Sequence, residues 1–132
     1  MKTELTVEQS AKLIELGVDR KLASIKEFVP IHPEVLKGNA EYAKPWGWFP
    51  KFTLTDILSI LPKEIKFSPT TYHLNIDYPP INQVAARYID EDDVDNDLKG
   101  FMCNELIDSL YLLLIWVIEI GFVKLKTEKK WK

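Results

Sequence analysis

Asp93, Asp95 and Asp97 stand at the one-three-five spacing from which carboxylate oxygens can wrap a hard cation in a calcium loop. They belong to the run DEDDVDND at residues 90–97, which holds six acidic side chains in eight residues, Asp92 among them. Two departures count against calcium. The sixth position is Leu98 where a sharp turn needs glycine, and the twelfth is Asn104, with Glu105 one residue late. No metal is therefore expected, and Asp93, Asp95 and Asp97 are the candidates should a cation bind. A solvated acidic loop is the simpler expectation. Imitation of nucleic-acid phosphates is a third, and the modest net charge of -3 argues against it.

Aromatic side chains offer a second chemistry. Phe28, Tyr42, Trp46, Trp48, Phe49 and Phe52 crowd a stretch punctuated by Pro30, Pro33, Pro45 and Pro50. Tyr42, Trp46, Trp48 and Phe49 form the candidate platform, because such rings stack on bases and sugars. Few cations interleave beyond Lys44 and Lys51, so nucleic acid is disfavoured as a partner. Rings that simply cover a core are the plainer reading, since aromatic residues dominate burial.

The remaining candidates are thinner. Glu105 and Asp108 make an E-x-x-D pair on one helix face, the kind of pair that holds magnesium for nucleotide hydrolysis, but one pair is a weak signal and the positive end of the helix explains an acid there. His73 shares a strand face with Asn75 and Asp77, yet no nucleophile is tied to it. His32 reads as structural. Cys103 reads as a small hydrophobe, and a lone cysteine precludes an internal disulfide. No phosphate loop, dinucleotide fingerprint or nucleophile elbow is present. The sequence thus assigns no catalytic residue and no cofactor, and reads as non-enzymatic.

These residues must be positioned by ordinary elements. The longest apolar stretch, ELIDSLYLLLIWVIEI at 105–120, predicts a buried helix with Asn104 as N-cap and Gly121 as its stop. Its inward stripe is Leu106, Ile107, Leu110, Leu113, Leu114, Val117 and Ile120. Glu105, Asp108, Ser109, Leu112 and Glu119 fall opposite. Leu112, with Ile115 or Trp116 beside it, stands where a polar residue is expected: cover by another segment of the same chain is the simpler reading, and a subunit or partner interface formed by Leu112, Ile115 and Trp116 is the functional one. Charges at Glu105, Asp108 and Glu119 argue against a membrane span.

Thr6 and Gln9 open a helix over 6–16 with capping-box spacing, and a further helical turn follows within Val18–Ile25, near Asp19. Thr53 and Asp56 open another over 53–61. Alternation at 70–78 sets Tyr72, Leu74, Ile76 and Tyr78 on one side and His73, Asn75 and Asp77 on the other, predicting a strand. A hairpin partner follows at 84–89, and a third strand is sought in Trp48–Phe52 or Phe122–Leu125. Residues 26–51 are expected to be irregular, and 124–132 form a basic tail with five lysines. The fold class is α+β, in one domain of 132 residues. The opening MKTELTVEQS lacks the apolar core of a signal peptide, so a cytoplasmic location is expected.

Three stretches in order carry a resemblance: VEQSAKLIELGVD at 7–19, FTLTDILSILPKEI at 52–65 and ELIDSLYLLLIWVIEIGFVK at 105–124. Together, over about half the chain, they resemble small uncharacterised proteins encoded by phages and prophages of gut bacteria. The resemblance implies a bacterial host cell as the setting and brings no activity or site residue with it. The expectation is an accessory protein that binds a host or phage macromolecule, most simply a protein. Two alternatives remain: a small nucleotide-binding protein or metal-dependent nucleotide hydrolase, and an oligomeric component of a particle.

Overall fold

The computed structural model describes residues 1–30, 46–78 and 82–121. Tyr42, Lys44, the Phe122–Leu125 strand candidate and the lysine tail lie outside them. Length suggested one domain; contacts gather the chain into two compact units, one of Thr3–Asp56 and one of Met1–Lys2 with the chain from Ile57 through the last helix.

The Thr3–Asp56 unit begins with helix α1 (Val7–Glu15). Its capping box closes as the spacing predicts: Gln9 N–H donates to Thr6 Oγ1 at 3.0 Å and Thr6 N–H to Gln9 Oε1 at 3.0 Å. Asp19 then caps a single tight helical turn, Arg20–Leu22, by accepting from Lys21 N–H at 2.9 Å. Strands β1 (Ile25–Pro30) and β2 (Trp46–Lys51) pair antiparallel as a two-stranded ribbon. The ends of the segment expected to be irregular are therefore strands. The prolines mask this in the sequence, but Pro30 is the last residue of β1, and among the described residues the ribbon has no further strand to feed. The β2 strand does not extend the hairpin sheet, as the third-strand expectation had it; it belongs to this separate ribbon. Leu5, Leu13, Val18, Phe49 and Phe52 form the core, with Ser10 Oγ accepting from Phe52 N–H at 3.2 Å.

Helix α2 (Leu54–Ile60) opens on the second capping box. Asp56 Oδ2 accepts from Thr53 N–H at 2.8 Å and Thr53 Oγ1 accepts from Asp56 N–H at 3.2 Å.

The second unit is a four-stranded antiparallel sheet in the order β3 (Glu64–Phe67), β4 (Thr70–Asp77), β5 (Val84–Asp90), β6 (Asp93–Cys103). Helix α3 (Leu106–Ile120) packs on β5 and β6. The α+β class and the β4–β5 hairpin stand as expected, while β3 and β6 supply strands the sequence had not suggested. Leu106, Ile107, Leu110, Leu113, Leu114 and Val117 are buried, and Gly121 closes the helix in the left-handed region at φ 92°.

Three details of α3 depart from expectation. Its N-cap is Glu105, not Asn104, and the Glu105 side chain accepts from Lys2 N–H at 2.9 Å instead of capping the helix. Ile120 is 52% exposed, because it follows the last turn that reaches the sheet. Ser109 is fully buried, its hydroxyl donating to Val84 C=O at 2.6 Å; that bond lets a polar residue sit on the packed face. No helix among the described residues is long and apolar enough to cross a membrane.

Candidate functional site

The β1–β2 register sorts the aromatic residues into two faces. Phe28 lies opposite Trp48 and Lys26 opposite Pro50, whereas Glu27 lies opposite Phe49 and Ile25 opposite Lys51. Phe49 is 2% exposed, so it is core and not the ligand group proposed from sequence. Trp48 is 66% exposed and Phe28 52%. Their ring centroids are 5.1 Å apart at an interplanar angle of 56°, a tilted contact that braces the indole without covering it. Trp46 lies opposite Pro30 in the same register.

Cations reach this face from outside the aromatic stretch. A cleft of about 530 Å³ is lined by Arg20, Lys21, Ala23, Lys26, Trp48 and Pro50. Arg20 and Lys21 come from the helical turn before β1, and Lys26 from β1 itself. Among the described residues, lysine and arginine supply every charge in the lining. Among the described residues, none of the three cations has a carboxylate within ion-pair distance. Sequence reasoning missed them because it counted only the cations interleaved with the rings. One of those, Lys51, is occupied elsewhere: its ammonium pairs with Glu4 at 2.7 Å and with Glu27. Burial works against its charge, but those two carboxylates outweigh it and hold the ammonium above its usual value.

Asp56 anchors the turn that precedes this face. It accepts from Ser24 N–H at 2.8 Å, from the Ser24 hydroxyl and from Thr53 N–H. Burial opposes its charge, yet these donors together hold the carboxyl below the usual range.

The acidic run becomes a hairpin tip and not a loop. Glu91 and Asp92 make the turn, and Asp93, Asp95 and Asp97 belong to β6, with an irregularity where Asp90 faces Asp93 but Ile89 faces Asp97. Asp90 Oδ1 accepts from Asp92 N–H at 3.0 Å and Asp93 Oδ1 from Asp95 N–H at 3.1 Å, the local bonds that aspartate makes in turns. No group of three or more His, Cys, Asp or Glu side chains among the described residues is placed to hold a metal. Glu105 and Asp108 are drawn to the chain's N-terminal end: Lys2 Nζ pairs with Asp108 Oδ1 at 2.8 Å, beside the Lys2 N–H bond to Glu105.

The outer sheet face carries a second groove, of about 600 Å³. Tyr78, expected on the same side of the strand as Tyr72, lies past the end of β4, lines this groove and is exposed. On its floor Arg87 donates to Asp77 Oδ2 through Nε at 3.1 Å and Nη2 at 2.7 Å. The guanidinium holds the Asp77 carboxyl below the usual range. Gly100 lies opposite Arg87, and a Cβ there would come within 2.7 Å of Arg87 Cβ. With its cation paired, this groove offers little net charge to a ligand. His73, on the same face, pairs with Glu91. Leu112 is exposed on α3, and Ile115 and Trp116 are half-buried.

Comparison with protein families, with curated proteins and with solved structures finds no match to this chain. The class that fold and site define is an α+β chain with an exposed aromatic and cationic ribbon face.

Proposed function

We propose that this chain is a non-enzymatic accessory protein, of the kind phages and prophages encode, that binds an anionic macromolecule on the outer face of the β1–β2 ribbon. The observation that carries this reading is Trp48, 66% exposed in a cleft whose charged lining, among the described residues, is Arg20, Lys21 and Lys26. A large ring left in water and ringed by like charges gains from a partner that supplies both a flat or apolar surface and negative charge. The resemblance to phage-encoded proteins supports the accessory role.

Retention on immobilised heparin tests the reading. Wild-type protein is expected to elute at higher salt than a variant carrying Arg20→Ala, Lys21→Ala and Lys26→Ala together, with circular dichroism confirming that both are folded. Co-elution of the two would sink it.

A further inference from the structure

We infer that the anionic partner is single-stranded nucleic acid, with bases stacking on Trp48 and phosphates held by Arg20, Lys21 and Lys26; this rests on the anion-binding reading above and names its ligand. Phe28 and Trp48 face each other across the ribbon, and Lys26 precedes Phe28 by two residues on the same face. Alternate residues of a strand are about 6.6 Å apart, so ring and ammonium are one short step from each other along β1. A nucleotide presents a flat π-face and an anionic phosphate at a comparable separation, and stacking plus backbone tracking is how strands are held without reading their sequence. Cations from the helical turn and from the strand line the same cleft as the ring, and suit a backbone that passes over it.

The same features weigh against other polyanions. In a duplex both faces of each base are already covered, so the exposed indole would gain nothing from it. An acidic peptide would satisfy the cations but has no obligatory ring for Trp48. A membrane surface would accept both groups, but on insertion it would pull the indole into the interface and not stack on it. The overall negative charge of the chain does not oppose a local site, because screening in physiological salt confines electrostatic attraction to about 8 Å.

Fluorescence anisotropy of a short labelled oligothymidylate, measured at low salt on the full chain, decides the matter. Wild-type protein is expected to bind. Trp48→Ala is expected to weaken binding by about ten-fold or more, the loss that follows removal of one stacking ring. Trp48→Tyr should recover most of that loss, and the triple cation variant should bind weakly and with less dependence on salt. Heparin retention runs beside it. If heparin retention depends on the three cations but oligothymidylate binding is absent, or is unchanged by Trp48→Ala, the nucleic-acid inference falls and the anion-binding reading stands. If neither depends on the cations, both fall. Equal or tighter binding of the corresponding duplex, or stronger uptake onto phosphatidylglycerol vesicles than onto the oligonucleotide, also overturns the inference.

Discussion

At the scale of single residues, the polar groups that matter here are those that fix backbone. Asp56 is 7% exposed and takes donors from two separate stretches, Ser24 and Thr53. Asp56→Ala leaves those donors without a partner and is expected to destabilise the protein by about 3 kcal/mol in denaturant unfolding. Its carboxyl sits below the ordinary value of 3.8 in the folded chain. The charged form therefore stabilises the fold above the ordinary value, and that contribution is lost as pH falls through the folded value. The gap in melting temperature between wild type and Asp56→Asn should accordingly be full at neutral pH and narrow as pH falls below the ordinary value of 3.8. A gap that does not change with pH would contradict this. Gly100 makes the opposite point, that a missing side chain can be required. Gly100→Ala brings a Cβ within 2.7 Å of Arg87 Cβ and is expected to cost about 1–3 kcal/mol by overpacking, read from chemical denaturation. Both capping boxes were legible in the sequence because they are local, three residues end to end. Arg20, Lys21 and Lys26 were not, since only strand pairing brings them to a tryptophan more than twenty residues away.

At the scale of elements, apolar pattern carried the reading wherever it was strong. The α3 stripe was legible from Leu106 to Val117 because a helix packed on a sheet buries one face. Leu113→Ala should cost about 2–5 kcal/mol, while Leu112→Glu should change stability by no more than about 0.5 kcal/mol, as befits an exposed position. Comparable losses from both would show that the stripe is misassigned. Strand β6 was hidden because aspartate, asparagine and glycine are poor strand formers, and six acids in eight residues read as solvated loop. What holds them extended is pairing to β5, a non-local cause that no window of sequence displays. Among the described residues no three such side chains are gathered to hold a metal, Asp93, Asp95 and Asp97 included. Millimolar calcium is thus expected to leave the melting temperature where chelator leaves it, and a rise of several degrees would reinstate the cation site. Strand β3, four residues long, and the proline-ended β1 were missed for the related reason that short strands borrow their stability from neighbours.

At the scale of the whole molecule, charge is unevenly shared. Acids outnumber bases in the unit built on the four-stranded sheet, while the charged groups that line the cleft in the other unit are, among the described residues, all cations. A net charge of -3 does not decide for or against a local basic patch, since a total conceals a patch of opposite sign. The salt dependence of binding measures the patch and not the total. Each phosphate neutralised on a single strand contributes about 0.7 to the slope of log affinity against log salt, so three cations predict a slope near -2 and a fall of about 20-fold between 50 and 200 mM salt. Lys21→Ala should lower the slope by about 0.7 while leaving the contribution of Trp48, measured as the ratio of wild type to Trp48→Ala, unchanged, because stacking releases no counterion. A slope far steeper than -2 would place additional cations on the strand. A slope near zero would mean that the ring binds without the charges, and the cleft would then be an aromatic contact for a neutral partner.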